Sequence, residues 1–268
     1  TAVNLKWALD TLKKKLLKTI PSKRAILATE LANLIRNDDI ENCKKIGQNG
    51  LKIIEQIYTK NKQTVNILTH CNAGWLATVD YGTALSPIFY ANKAQIPIHV
   101  WVDETRPRNQ GASLTCWELS KKSIPHTLVV DNAGGHLMQT GQVDVCLVGS
   151  DRTAANGDVC NKIGTYLKAL AARANGVPFY AAVPVSSIDF NLLTGVGSIP
   201  IEERSGEEIS FVHGISAAKE PTSVRICEDG TSTQNFAFDV TPAELVTGII
   251  TERGVFEATE ASLQTLLD

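Results

Sequence analysis

From residue 65 onward, short apolar runs alternate with stretches of helical spacing, and this alternation constrains the fold more than any other feature. The apolar runs predicted as strands cover residues 65–69, 98–102, 127–130, 143–148 and 178–183. Strands that alternate with helices predict a parallel sheet with right-handed crossovers and helices on both faces. A polar loop rich in Gly, Asn or Asp follows most of these runs. Such loops meet at the carboxyl edge of a parallel sheet, where α/β proteins bind ligands.

The chain before residue 62 differs, because its apolar residues recur at helical spacing. We predict a helix that Pro21 ends, a second over residues 25–35 and a third near residues 46–57. The predicted architecture is α/β: a helical segment over residues 1–61, then a Rossmann-like domain over residues 62–268 that carries the chemistry. Because the chain begins inside an apparent helix and its only methionine is Met138, we expect residues 1–61 to be the C-terminal part of a longer N-terminal domain.

Composition excludes several classes of partner. A formal net charge of −2 gives no basic excess for nucleic acid, and no apolar run is long enough to cross a bilayer. The six cysteines lack C-x-x-C spacing, which favours a reduced, cytoplasmic chain over a disulfide scaffold or a zinc site. No His, Asp or Glu cluster has metal-ligand spacing, and neither common nucleotide-binding glycine motif is present, so we expect no metal and no cofactor.

The densest polar loop, residues 149–164, follows the fourth predicted strand. We predict a helix that begins near Cys160, whose free backbone N–H groups would suit a phosphate together with Lys162. The alternative is a turn and helix cap built from Asp and Asn. Asp151 follows the strand directly, and apolar walls would raise its pKa and fit it for general acid or base work. An Asx-turn or a salt bridge to Arg152 is the alternative there.

Cys71 follows the first predicted strand. A thiol that faces a helix N-terminus has a lowered pKa and can exchange protons or attack carbon, whereas a buried structural cysteine is inert. His70 beside it could pair with the thiol or bond to the backbone. Since adjacent loops of a parallel sheet share one edge, Cys71 and Asp151 are expected on opposite sides of a small ligand. A thiol and a carboxylate so placed suggest proton transfer at neighbouring carbons.

The loop after the second predicted strand is rich in hydrogen-bond donors. Arg106, Arg108 and Gln110 suit a phosphate or carboxylate ligand, unless Asp103 and Glu104 neutralise the arginines.

Several sequence blocks, in this order, resemble the methylthioribose-1-phosphate isomerase family. They are TAVNL at 1–5, THCNAG at 69–74, DETRPRNQGA at 103–112, GSDR at 149–152, AANGD at 154–158, NKIGTY at 161–166 and AFDVTP at 237–242. The resemblance covers nearly the whole chain. It implies conversion of 5-methylthioribose 1-phosphate to 5-methylthioribulose 1-phosphate, a step of methionine salvage and so of methionine biosynthesis, by a homodimer.

The resemblance also implies roles for particular residues. Cys71 matches the family's catalytic thiol and Asp151 its catalytic carboxylate, while Gln110, Asn161 and Lys162 match contacts to substrate or phosphate. The family carries an Arg-Gly-Ala-Pro motif upstream and an Arg-Pro directly before Thr-Ala-Val-Asn-Leu. Both lie outside this sequence, and their arginines are expected to help hold the phosphate.

Two other functions stay open at this point. A related isomerase that acts on ribose 1,5-bisphosphate would keep the same thiol and carboxylate but would need more cations near the 5-position of the sugar. Regulatory-subunit relatives of the translation-initiation guanine-nucleotide exchange factor share the fold and act by binding other proteins. The presence together of Cys71, Asp151, Gln110 and Lys162 favours an enzyme.

Overall fold

The computed structural model describes residues 2–267. Thr1 and Asp268, the end residues of the two predicted parts, lie outside the described residues. The helices are α1 Asn4–Leu16, α2 Arg24–Asn61, α3 Leu85–Lys93, α4 Cys116–Lys121, α5 Ala133–Gln139, α6 Thr165–Ala174, α7 Glu207–Ser210 and α8 Glu260–Gln264. The strands are β1 Val65–Thr69, β2 Ile98–Asp103, β3 His126–Val129, β4 Val145–Val148, β5 Arg152–Ala154, β6 Val159–Lys162, β7 Phe179–Ala182, β8 Ile188–Asp189, β9 Glu203–Arg204, β10 Phe211–Ile215, β11 Pro221–Arg225, β12 Asn235–Phe236, β13 Phe238–Thr241, β14 Gly248–Thr251 and β15 Gly254–Phe256.

The main sheet confirms the predicted Rossmann-like α/β architecture. Its strand order is β15-β14-β7-β4-β1-β2-β3, and every neighbouring pair is parallel except β14 with β15. The predicted strands are β1, β2, β3, β4 and β7, whereas β14 and β15 extend one edge without having been predicted. From β1 the chain adds strands first on one side and then, from β4, on the other. The crevice outside the carboxyl ends of β1 and β4 is therefore the switch point, where ligands bind in such sheets.

Helices cover both faces of this sheet, so the middle strand β4 is buried at every position, as in a doubly covered parallel sheet. On one face, Ile67 and Leu147 pack with Ile54 of α2 and Ile88 of α3. On the other face, the core contains residues of β1, β4, α5, α6 and α8. Burial on both sides fixes the strand ends and hence the position of the loops that follow them.

The helical segment is more continuous than predicted. A short 3₁₀ turn at Pro21–Lys23 separates α1 from α2, and α2 runs unbroken for 38 residues where two helices were expected. Its C-terminal half packs against the sheet through Ile46, Ile53 and Ile54. The division at residue 61 stays a prediction. Among residues 2–267, no helix is both long and apolar enough to cross a membrane.

Residues 149–164 do not fold as predicted. β5 and β6 form an antiparallel hairpin, and α6 begins at Thr165 rather than near Cys160. The turn passes through Asn156 and Gly157, and Gly157 has φ +94°, a conformation that glycine adopts without strain. β13 pairs with β6 and β8 with β5 to complete a second sheet. Asn-Gly is a strong hairpin signal, so the sequence contained the information that the prediction missed.

Candidate active site

A cavity of about 390 Å³ lies where the loops after β1 and β4 meet. Cys71 and Asn72 line it from the first loop, Ser150 and Asp151 from the second, and Asn161 from β6. The predicted convergence of the thiol and the carboxylate on one cavity therefore holds in the structure.

The backbone of Cys71 has an unusual conformation. Its φ of +68° is left-handed, which costs a residue other than glycine about 1–2 kcal/mol. The Cys71 N–H donates to Thr105 Oγ1 at 2.9 Å, and the Cys71 carbonyl accepts from Thr115 Oγ1 at 2.7 Å. Two threonine hydroxyls thus hold the peptide groups on either side of the thiol.

The expectation of a lowered pKa for the Cys71 thiol is wrong. Burial raises the pKa to about 11, against the opposing influence of a hydrogen bond from Asn72 and the nearby charge of Lys162. No helix begins directly behind this loop, since α3 starts only at Leu85, so no helix N-terminus favours the thiolate. The thiol keeps its proton at neutral pH.

Asp151 has the raised pKa that the sequence predicted. Burial is the main cause, and the nearby Lys162 ammonium opposes it. Arg152 does not pair with Asp151, because its guanidinium Nε donates to Asp189 at 3.1 Å instead. Among residues 2–267, no cation lies within ion-pair distance of Asp151, and a partly buried carboxyl group of this kind can exchange a proton with a ligand in the cavity.

Asn161 and Lys162 lie on the buried strand β6 and not at a helix start, which corrects the prediction. Asn161 Nδ2 donates to Thr165 Oγ1 at 3.0 Å. The Lys162 ammonium lies 4.4 Å from the centroid of the Phe238 ring, and burial lowers its pKa. Lys162 is not among the described residues that line the cavity, but its charge influences both Cys71 and Asp151.

The N-terminus of α6 is not free for phosphate. Asp239 on β13 accepts the Gly164 N–H at 2.7 Å and the Tyr166 N–H at 3.1 Å. Burial raises the pKa of this carboxyl, and the two N–H donors oppose the rise. A carboxylate of the chain itself occupies the position that the sequence had suggested for a ligand.

The donor-rich loop after β2 is divided between two roles. The Arg106 guanidinium donates to the Ile209 carbonyl at 2.9 Å and so binds the loop to α7, directly before β10. Arg108 is half exposed and lies 3.6 Å from Glu208. Gln110 is not among the described residues that line the cavity, and its Oε1 is buried without a hydrogen-bond partner in the part of the chain described.

The partners of the His70 ring are a backbone carbonyl and a carboxylate rather than Cys71. Its Nε2 lies 2.8 Å from the Ile163 carbonyl and its Nδ1 lies 2.9 Å from Asp103. His70, Asp103 and Asp131 lie close enough to hold a metal ion, although their sequence spacing gave no such signal. Lys168 Nζ, however, lies 3.2 Å from Asp103 and also donates to the Asp131 carbonyl. A cation of the chain thus already occupies this cluster, which fits an ion-pair network better than a metal centre.

The helical segment also contributes to the cavity, which the sequence did not reveal. Ile35, Arg36 and Asp39 of α2 line it, together with Asn4 of α1. Asp39 accepts the Val79 N–H at 3.0 Å and so anchors the loop that closes one side. These residues carry the ordinary pattern of an amphipathic helix, so only the tertiary contact identifies them.

The chain is similar to known proteins over nearly its whole length. The profile of the Initiation factor 2 subunit family matches residues 1–258. Methylthioribose-1-phosphate isomerase of Rhizobium meliloti (strain 1021) is 59% identical over 268 residues, which are 99% of this chain and 74% of that protein. The protein of the same name from Methylobacterium nodulans (strain LMG 21967 / CNCM I-2342 / ORS 2060) is 58% identical over 266 residues, covering 99% and 73%.

Two solved structures share the fold. The crystal structure of 5-methylthioribose 1-phosphate isomerase from Pyrococcus horikoshii OT3 has a TM-score of 0.84 at 41% identity, over 99% of this chain and 70% of that one. The translation initiation factor eIF-2B subunit delta from A. fulgidus has a TM-score of 0.77 at 36% identity, over 94% and 69%. Of these two, the isomerase is more similar in both sequence and structure.

Proposed function

Because this chain belongs to the Initiation factor 2 subunit family, and within it to the methylthioribose-1-phosphate isomerases, we propose that it converts 5-methylthioribose 1-phosphate to 5-methylthioribulose 1-phosphate in methionine salvage. The protein is an aldose–ketose sugar-phosphate isomerase. The observation that carries the proposal is the shared cavity of Cys71 and Asp151 at the switch point of the sheet.

The reaction needs two transfers of hydrogen. The 1-phosphate blocks the anomeric oxygen, so the ring cannot open to a free aldehyde by itself. The bond between C1 and the ring oxygen must break, and that oxygen gains a proton while the C2 hydroxyl loses one. The hydrogen on C2 moves to C1, which leaves a ketone at C2 and a CH₂ group at C1. Atoms and charge balance without a cofactor.

Asp151 fits the transfers at oxygen. Because burial raises its pKa, Asp151 is protonated to a greater extent than an ordinary carboxyl group at the same pH. The protonated form donates to the ring oxygen as the bond to C1 breaks. The resulting carboxylate then accepts the proton of the C2 hydroxyl, so Asp151 ends the cycle in its starting state.

Cys71 fits the transfer at carbon. As a thiolate it removes the proton on C2 to give an enolate-like intermediate, and after exchange of the thiol proton with solvent it delivers a proton to C1. With a pKa of about 11, the thiol must lose its proton before this step, and Lys162 is the nearby charge that favours the thiolate. Gln110, Asn161 and Lys162 are the proposed contacts to the substrate and its phosphate.

We further propose that the protein is a cytoplasmic homodimer. All six cysteines are free thiols, as in a reducing compartment. The homodimer rests on the family resemblance. Light scattering of the purified protein should give twice the mass of one chain, and a mass equal to one chain would contradict the dimer.

Turnover of purified protein tests the function. We expect 5-methylthioribose 1-phosphate to be isomerised, ribose 1,5-bisphosphate to be a poor substrate, and Cys71→Ser and Asp151→Asn to abolish turnover with unchanged circular dichroism. Preference for the bisphosphate would assign the related isomerase. Absence of turnover of either sugar, with capture of translation-factor subunits, would favour the regulatory relatives instead.

A further inference from the structure

A fully buried carboxylate lies behind the Cys71 loop and is not used by the proposed mechanism. Glu118 on α4 has no exposed surface. Its Oε1 accepts from Asn72 Nδ2 at 3.0 Å and from the Leu76 N–H at 3.1 Å, and its Oε2 accepts the Trp75 N–H at 2.9 Å. All three donors belong to the segment that directly follows Cys71.

Glu118 has no charged partner in the part of the chain that the structure describes. Burial raises its pKa, and the opposing influences are the three hydrogen bonds rather than a cation. A buried carboxylate without a cation is costly unless its hydrogen bonds are specific. A carboxylate in this position therefore specifies the conformation of one loop, which an apolar side chain of similar size would not do.

Thr115 connects Glu118 to the thiol. The Thr115 hydroxyl donates to the Cys71 carbonyl at 2.7 Å and accepts from Asn72 Nδ2 at 3.1 Å. The Asn72 amide is thus held by Thr115 and Glu118 together. Because Thr115 and Glu118 are three residues apart where the π-helical turn meets α4, they face the same loop.

The backbone of the loop lies directly against the carboxylate. A Cβ on Gly74 would come within 2.0 Å of Glu118 Oε2, so a larger residue there would displace the carboxylate. Cys71 itself has the left-handed φ of +68°, which persists only where the surroundings fix it. The Thr105 hydroxyl holds the peptide group before Cys71. Thr115 holds the Cys71 carbonyl after it, and Glu118 holds the N–H groups of Trp75 and Leu76.

We infer that Glu118 and Thr115 are positioning residues, which hold the segment from Cys71 to Leu76 so that the thiol faces Asp151 across the cavity. This inference rests on the proposed role of Cys71. Neither side chain lines the cavity among the described residues, so both act through the loop and not on the substrate.

Two pairs of variants test the inference. Glu118→Gln keeps the shape but turns an NH₂ group toward N–H donors. Its matched control is Asp158→Asn, since Asp158 is also buried and also accepts three hydrogen bonds, in its case from the backbone N–H groups of Gly195, Val196 and Ala243, away from Cys71. Thr115→Val removes the hydroxyl that holds the Cys71 carbonyl. Its control is Thr115→Ser, which keeps that hydroxyl.

We expect Glu118→Gln and Thr115→Val to lower kcat by about 10-fold to 100-fold with KM within about 3-fold, because misplacement of a reacting group acts on the chemical step. The rate of Cys71 alkylation by iodoacetamide, followed on the Cys71 peptide by mass spectrometry, should change in both variants. The Trp75 and Leu76 amides should exchange hydrogen faster in Glu118→Gln. Asp158→Asn and Thr115→Ser should alter neither kcat nor Cys71 alkylation by more than about 3-fold.

The inference is overturned if Glu118→Gln and Thr115→Val match their controls in kcat and in Cys71 alkylation. If Glu118→Gln does not fold, the Thr115 pair alone decides, because Val keeps the shape of Thr without its hydroxyl and Ser keeps the hydroxyl. Should Cys71→Ser retain turnover, the proposed function of Cys71 fails, but alkylation and hydrogen exchange still report whether Glu118 and Thr115 hold the loop.

Discussion

Asp151 directly precedes the β5–β6 hairpin and Asp158 lies in its turn, and their surroundings give these two carboxylates opposite properties. Asp158 accepts backbone N–H groups from Gly195 at 2.8 Å, Val196 at 3.2 Å and Ala243 at 2.8 Å. Burial acts to raise its pKa, but these bonds together with one from Asn156 outweigh it, so the pKa is lowered. Asp151 lines the cavity, and burial raises its pKa.

The difference teaches what distinguishes a structural carboxylate from one available for chemistry. Asp158 is held ionised by three backbone donors and joins the hairpin to two other segments. Asp151 has neither property, since the main influence that opposes the rise in its pKa is the charge of Lys162. Both carboxylates lie in one loop rich in Asp, Asn and Gly, and the sequence distinguishes Asp151 only because it directly follows a predicted strand.

The largest expected difference between them is in turnover. Asp151→Asn should lower kcat by at least about 100-fold, the usual contribution of general acid–base catalysis. Asp158→Asn should stay within about 3-fold of the unmodified protein at 25 °C. Steady-state assays with 5-methylthioribose 1-phosphate measure both, and equal losses in the two variants would remove the distinction.

Stability should change in the opposite sense. Asp158→Asn leaves buried N–H donors unmatched, so we expect a loss of about 1–3 kcal/mol in the free energy of unfolding at pH 7. Asp151→Asn removes a charge that burial disfavours, so Tm at pH 7 should rise. Thermal melts of the two variants measure these changes.

The pH dependence follows from the same two shifts. The folded-state pKa of Asp158 is lowered from 3.8, so its stabilisation is present above pH 3.8 and is lost as pH falls through the folded-state value. The folded-state pKa of Asp151 is raised, so its destabilisation applies at higher pH and disappears as pH falls below 3.8. A Tm difference of Asp151→Asn that grew on acidification would contradict this account.

The smallest expected effect is on the pKa of the Cys71 thiol, which the charges of Lys162 and Asp151 influence in opposite directions. Its alkylation should rise with pH toward a midpoint near 11, because the thiolate is the nucleophile. Lys162→Met should move the midpoint up, since the ammonium favours the thiolate. Asp151→Asn should move it down, since the carboxylate opposes the thiolate. Shifts of the same sign in both variants would show that these charges do not act on Cys71.

Much of this arrangement could be predicted from the sequence. The apolar runs before Cys71 and Asp151 identify parallel strands, and parallel strands bring their following loops to one edge. The position of the cavity and the raised pKa of Asp151 follow from that pattern. The Asn156-Gly157 pair also signals a hairpin, but the prediction for this Asp- and Asn-rich loop was a phosphate-binding loop before a helix near Cys160.

The rest depends on contacts between distant parts of the chain. Glu118 has the spacing of an ordinary helix residue, and its burial arises only when the loop after Cys71 folds over α4. Asp39 reaches Val79 across 40 residues of sequence. The pKa of Cys71 was expected to fall because a helix was assumed behind it, whereas burial in the folded loop raises it.

The central claim is that Cys71 and Asp151 act as a proton-transfer pair. The most direct test is to follow the hydrogen that moves between C2 and C1. The protein should be given 5-methylthioribose 1-phosphate in deuterated water, and the product should be examined by NMR at C1. A thiolate that carries the proton exchanges with solvent, so we predict deuterium at C1 of the 5-methylthioribulose 1-phosphate. Turnover that leaves C1 free of deuterium would contradict the role of Cys71 and indicate a direct hydride shift.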